Sequence, residues 1–134
     1  MTEQKKETKV DIEIKGKIDL PKLDIDYQKY IGQESKIDSV ETHEGSFGYF
    51  VKVTSEIVDT IENPADKEKP IELRATGIFG LQTDANGDIG WGEDTKLDKY
   101  LKKMGVSHFN ELPGKTFKVQ TKDGKDDKVF LSVN

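Results

Sequence analysis

The chain has 134 residues with 21 basic and 26 acidic side chains, a formal charge of −5 at pH 7, 33% hydrophobic and 35% charged residues, and no cysteine. That length suits one core and not two comfortable ones, and the lack of cysteine excludes a disulfide framework and any thiolate metal site. The polar stretch Met1 to Lys9 has no apolar segment behind it, and no run approaches the roughly eighteen apolar residues of a membrane span, so a soluble, cytoplasmic protein without a leader is the expectation.

Residues 1–8 read as a disordered tail and 9–134 as one domain. From Lys9, the residues Val10, Ile12 and Ile14 alternate strictly with charged ones, which predicts a strand with one apolar face running past Gly16 through Ile18 to Leu20, where Pro21 ends it. Leu23 to Ile31 mixes two periods and reads as an irregular cover with a helical turn around Asp26 to Tyr30. A meander begins after Gly32. Lys36 to Glu44 holds Ile37 and Val40 out of strict alternation, which a bulge between them reconciles in a strand that must coil. Gly45-Ser46 is the expected tight reversal. Phe47, Tyr49, Val51 and Val53 then face the core, while Gly48, Phe50, Lys52 and Thr54 face outward.

Asp59 to Lys69, rich in charge and containing Asn63-Pro64, reads as a solvated loop or a frayed hairpin end. Pro70 opens a third strand with Ile71, Leu73 and Ala75 on one side and Glu72, Arg74 and Thr76 on the other, and Gly77 and Gly80 punctuate its end. Asn86-Gly87 is a strong turn signal, followed by Gly90-Trp91-Gly92. Thr95 is a good N-cap with Asp98 three positions on, and Leu97, Tyr100, Leu101 and Met104 make one apolar stripe of a helix. Lys102 and Lys103 suit the helix C-terminus, Gly105 stops it, and Val106 packs back on Leu101. Ser107 caps a short turn through Phe109 and Leu112, and Pro113-Gly114 reverses the chain into Lys115 to Thr121. Lys122-Asp123-Gly124-Lys125 makes a hairpin tip, and Val129, Leu131 and Val133 finish the last strand with Phe130 on its opposite face.

No sharp catalytic signature is present. His43 and His108 belong to no recognisable triad or metal spacing, so an enzyme is not expected. Asp84 to Asp88 resembles the opening of a calcium loop but has Ile89 where a glycine belongs and Thr95 in place of the bidentate glutamate, which favours a simple turn and no metal. The glycines near Trp91 do not spell a phosphate-cradling loop, and Gly114-Lys115-Thr116 enters a strand instead of a helix. What remains is a surface. The chain carries a net −9 over residues 1–95 and +4 over residues 96–134, so its C-terminal third offers a local positive surface on an acidic protein. Phe50, Lys52 and Thr54 would lie beside Arg74 and Thr76, flanked by Trp91 and by Lys122, Lys125 and Lys128, a stacking platform with a basic track of the kind that binds single strands. The structural alternative has Phe50 covered by the N-terminal strand, Trp91 pinning its own loop and the lysines serving solvation.

Three strands, one helix and two strands, with an extra N-terminal strand leading in, is the order of a small five-stranded Greek-key barrel. That order, the helix Leu97 to Met104 closed by Gly105-Val106, and the entry Leu112-Pro113-Gly114-Lys115 into a strand resemble the oligonucleotide/oligosaccharide-binding (OB) fold over Tyr30 to Asn134. Small phage and archaeal single-stranded-DNA-binding proteins are similar to it. The resemblance implies a non-catalytic binder of single-stranded DNA or RNA without cofactor. Phosphate contacts are expected from Lys52, Arg74, Lys118, Lys122 and Lys125, and stacking from Phe50 and Trp91. The rival is a protein-interaction or assembly module that uses a strand edge or the acidic N-terminal surface.

Overall fold

A computed structural model describes residues 12–19, 25–124 and 128–134. Its main feature is a curled, half-barrel sheet of six strands in the order β6-β1-β2-β3-β8-β7. The first hairpin joins β1 (Glu34–Gly45) to β2 (Gly48–Ile61), and β3 (Ile71–Gly80) continues the antiparallel meander. The predicted irregularity in β1 is present as a register shift between Ile37 and Ser39. It lets Ile37 and Val40 both turn inward, Ile37 fully buried and Val40 packed against the core. β2 runs further than the sequence implied, to Ile61, because the apolar Ile71 and Leu73 of β3 give Ile61 and Asp59 partners in the ladder. Two register shifts bend β2 around Ile57.

After β3, the short strands β4 (Gln82–Thr83) and β5 (Ile89–Gly90) pair as a separate small hairpin. Its turn is held by Asp84, whose Oδ1 accepts the N–H groups of Asn86 (2.8 Å) and Asp88 (2.9 Å), while Gly87 takes the positive φ of 85°. Helix α1 (Lys96–Met104) follows as its pattern predicts. Thr95 accepts the Asp98 N–H at 3.2 Å, Gly105 adopts φ 74°, and the Val106 N–H donates to the Leu101 carbonyl at 3.0 Å. Leu97, Tyr100 and Leu101 are buried, and the Tyr100 ring stacks on Phe79 at the end of β3, 4.8 Å between centroids. The helix therefore seals one end of the curled sheet. The other end is covered by a 3-10 turn, Tyr27–Tyr30, capped by Asp26, whose Tyr30 hydroxyl donates to Asp59 at 2.6 Å.

β6 (Thr116–Lys118) pairs with the start of β1, and β7 (Gln120–Asp123) pairs with β8 (Val129–Ser132). Only Val119 separates β6 from β7, and its N–H and C=O bond to Gln33 O (2.9 Å) and Gly32 N (2.8 Å) ahead of β1. β8 lies parallel to β3 through a single bridge, Thr76 to Ser132. At that seam Gly77 is closely packed, since a Cβ there would sit 2.6 Å from Val133 Cγ2.

Four expectations are corrected. Among the described residues, 12–19 form no strand: Ile12 and Ile14 are 70% and 75% exposed, because alternation makes a strand only where a ladder partner exists. The hairpin turns on Ser46-Phe47 between the paired Gly45 and Gly48, the latter at φ 116°, so Phe47 projects fully into solvent and not into the core. Tyr49 is only half-buried at the rim. The turn Phe109–Glu111 is capped by His108, whose Nδ1 accepts the Asn110 N–H at 3.1 Å, in place of Ser107. The tail at 1–8 and the residue Lys125 lie outside the described residues.

Candidate functional site

Parity along β2 and β3 sorts the surface cleanly. Val51, Val53, Leu73, Ala75 and Phe79 are buried, so their neighbours Phe50, Lys52, Thr54, Arg74, Thr76 and Ile78 occupy the outer face. Phe50 lies partly buried at the hairpin end of this face, opposite His43 on β1, with the two rings stacked at 5.4 Å and 27°. His43 in turn approaches Glu41 Oε1 at 3.0 Å. Lys52 comes next along β2, with Glu41 opposite it on β1 and Ile78 opposite it on β3. No carboxylate of the described residues lies within 4 Å of the Lys52 or Lys122 ammonium.

The weak seam between β3 and β8 opens a depression of about 240 Å³ on this face. Ile78, Phe130, Lys96 and Lys122 line it, with Ile78 65% and Phe130 38% exposed. Phe130 and Lys122 are cross-strand partners, so an aromatic ring and a cation stand side by side at the edge of the depression. Ile78, Phe130 and Lys96 were not among the expected site residues. Extending the β3 alternation past Gly77 would have put apolar Ile78 outside, and the phase of Val129, Leu131 and Val133 already sets Phe130 apart.

The remaining expected residues are dispersed. Arg74 lies on the outer face but six positions along β3 from the partner of Phe50, about 20 Å away. Its guanidinium donates to the Ser55 carbonyl at 2.9 Å and meets Asp38 at 3.5 Å and Glu72 at 3.9 Å. Ser55 is itself buried, with its Oγ accepting the Ala75 N–H at 2.8 Å, so Arg74 holds the bend of β2. Lys118 is exposed on β6 opposite Glu34 and shares a separate depression with Lys103 near the helix C-terminus. Trp91 packs with His108 (5.2 Å) and Phe109 (5.6 Å) and lines the small β4–β5 hairpin, apart from the Phe50 stack.

Among the described residues no group of three or more His, Asp or Glu side chains is arranged to hold a metal ion, and no helix is long and apolar enough to cross a membrane. No family model matches this chain, and no curated protein and no solved structure matches it.

Proposed function

We propose that this chain is a non-catalytic binder of single-stranded nucleic acid on a five-stranded Greek-key barrel of the OB kind. The strand order supports the barrel: β1, β2 and β3 form a meander, β8 returns parallel to β3, and β6 with β7 reads as one strand kinked at Val119 that touches both β1 and β8. The observation that carries the functional reading is the depression at the β3–β8 seam, which Ile78, paired with Lys52, and the Phe130–Lys122 pair line from its two sides, with the His43–Phe50 stack toward the hairpin end of the face. Rings stack on any base and ammonium groups track any phosphate, so such a surface binds single strands without reading their sequence. Arg74, held by its own acceptors, contributes little to phosphate contacts in this reading, and Lys52 and Lys122 contribute most.

Anisotropy of a dye-labelled oligothymidylate, measured against salt, tests the proposal, with oligouridylate as the RNA arm. Saturable binding at low salt is expected, and replacing Lys52 and Lys122 by Gln should reduce the slope of log K against log salt by about 1.4, at about 0.7 per phosphate for a single strand. No anisotropy change at low salt, or a slope untouched by the double substitution, overturns it.

A further inference from the structure

Trp91 stands in surroundings opposite in sign to the outer face. Between Arg74 and Lys96 the sequence contains no basic residue, while Asp84, Asp88, Glu93 and Asp94 fall within that interval. The fold gathers part of it into a cup of about 490 Å³ lined by Gln82, Asp84, Asp88, Gly90, Trp91 and Gly92 among others, with no cation among the described residues of its wall. Trp91 is partly buried against the core, and a Cβ at Gly92 would meet Gln82 Oε1 at 2.9 Å. His108 and Phe109 buttress the ring by edge and tilted contacts. Asp84 spends one oxygen on the turn, whereas the Asp88 carboxylate has no ion-pair partner among the described residues.

We propose that this cup binds a cationic side chain, specifically an arginine guanidinium presented by a basic segment of a partner protein. A guanidinium is planar and weakly hydrated, so it can lie over the indole face while its N–H fork reaches a carboxylate at the rim. A phosphate would meet two carboxylates there and no described cation to balance its charge. The same chemistry separates Trp91 from the nucleic-acid face and does not depend on that face binding anything.

The chain has one tryptophan, so its emission reports this cup alone. Acetylated hexa-arginine amide titrated at low salt should change that emission saturably, and hexa-lysine should bind more weakly because an ammonium stacks less well than a guanidinium. Asp88→Asn should weaken the response roughly threefold, as for a partly exposed ion pair. Gln82→Lys, which adds a cation at an exposed position without removing any contact of the turn, should weaken it further. Four results would overturn the proposal: no emission change with hexa-arginine, unchanged affinity in a folded Asp88→Asn and in Gln82→Lys, an equal response to uncharged maltohexaose, or quenching by oligothymidylate. Failure of the oligonucleotide anisotropy experiment would leave these readings unaffected.

Discussion

Two aromatic stacks of nearly the same geometry do different work in this molecule. Phe79 and Tyr100 lie 4.8 Å apart at 20° and are 4% and 2% exposed, while His43 and Phe50 lie 5.4 Å apart at 27° on the outer face. The first joins the helix to the sheet, since all of its area is removed from water on folding. The second joins two strands already tied by their ladder, and its Phe50 ring is only partly buried. Ring geometry alone therefore does not identify a binding site; burial and neighbouring charge do. Trp91 extends the lesson, because a partly buried ring beside carboxylates suits a different ligand from one beside lysines.

The contrast can be broken most directly by truncation. Tyr100→Ala should cost about 3–5 kcal/mol of stability in chemical denaturation, as a large buried ring is lost, whereas Phe50→Ala should cost about 1 kcal/mol or less. Equal losses would mean that Phe50 is structural. Tyr100→Phe sharpens the first arm: the Tyr100 hydroxyl is buried with no hydrogen-bond partner among the described residues, and burial pushes its pKa upward, so removing the oxygen should leave stability equal or higher. Next in size, Gly77→Ala should destabilise by about 1–3 kcal/mol through overpacking on Val133, with no comparable effect from Gly80→Ala, where a Cβ meets open space.

On the binding side, Phe50→Ala should weaken oligothymidylate by about 1–3 kcal/mol, the worth of one stacked base, while Tyr100→Phe leaves affinity unchanged. The smallest effect lies in pH. The hydrogen bond to Asp59, with burial, pushes the Tyr30 hydroxyl from 10.0 up to about 12. A raised folded-state pKa means that this contribution is full below pH 10 and is lost as pH rises from 10 to 12. The stability advantage of the wild type over Tyr30→Phe should therefore shrink across that window in denaturation curves, and a constant difference would show that the hydroxyl does not titrate as described.

Much of the fold was legible because local physics decides it. Thr95, the Leu97–Met104 stripe and Gly105 specify a helix through capping, periodicity and a left-handed stop, and all three appear where expected. Alternation in β2 and β3 likewise separated Val51 and Val53 from Phe50 and Lys52, since side chains in a strand must alternate. The same rule failed at Phe47 and at Ile12 to Ile18. Alternation states which residues share a face, and only ladder partners decide whether that face is covered or where a turn begins.

The candidate site was harder to read, because a site depends on which elements meet. The chain alone determined one core, one helix, a strand meander and a basic C-terminal third, all consequences of composition and short-range pattern. The tertiary structure decided that Phe130 and Lys122 join Ile78 across the β3–β8 seam, that Arg74 is spent on Ser55 and Asp38, and that Trp91 faces acids. Those outcomes rest on strand pairings between residues far apart in the chain, whose register depends on cooperative packing of the whole sheet and leaves no local trace.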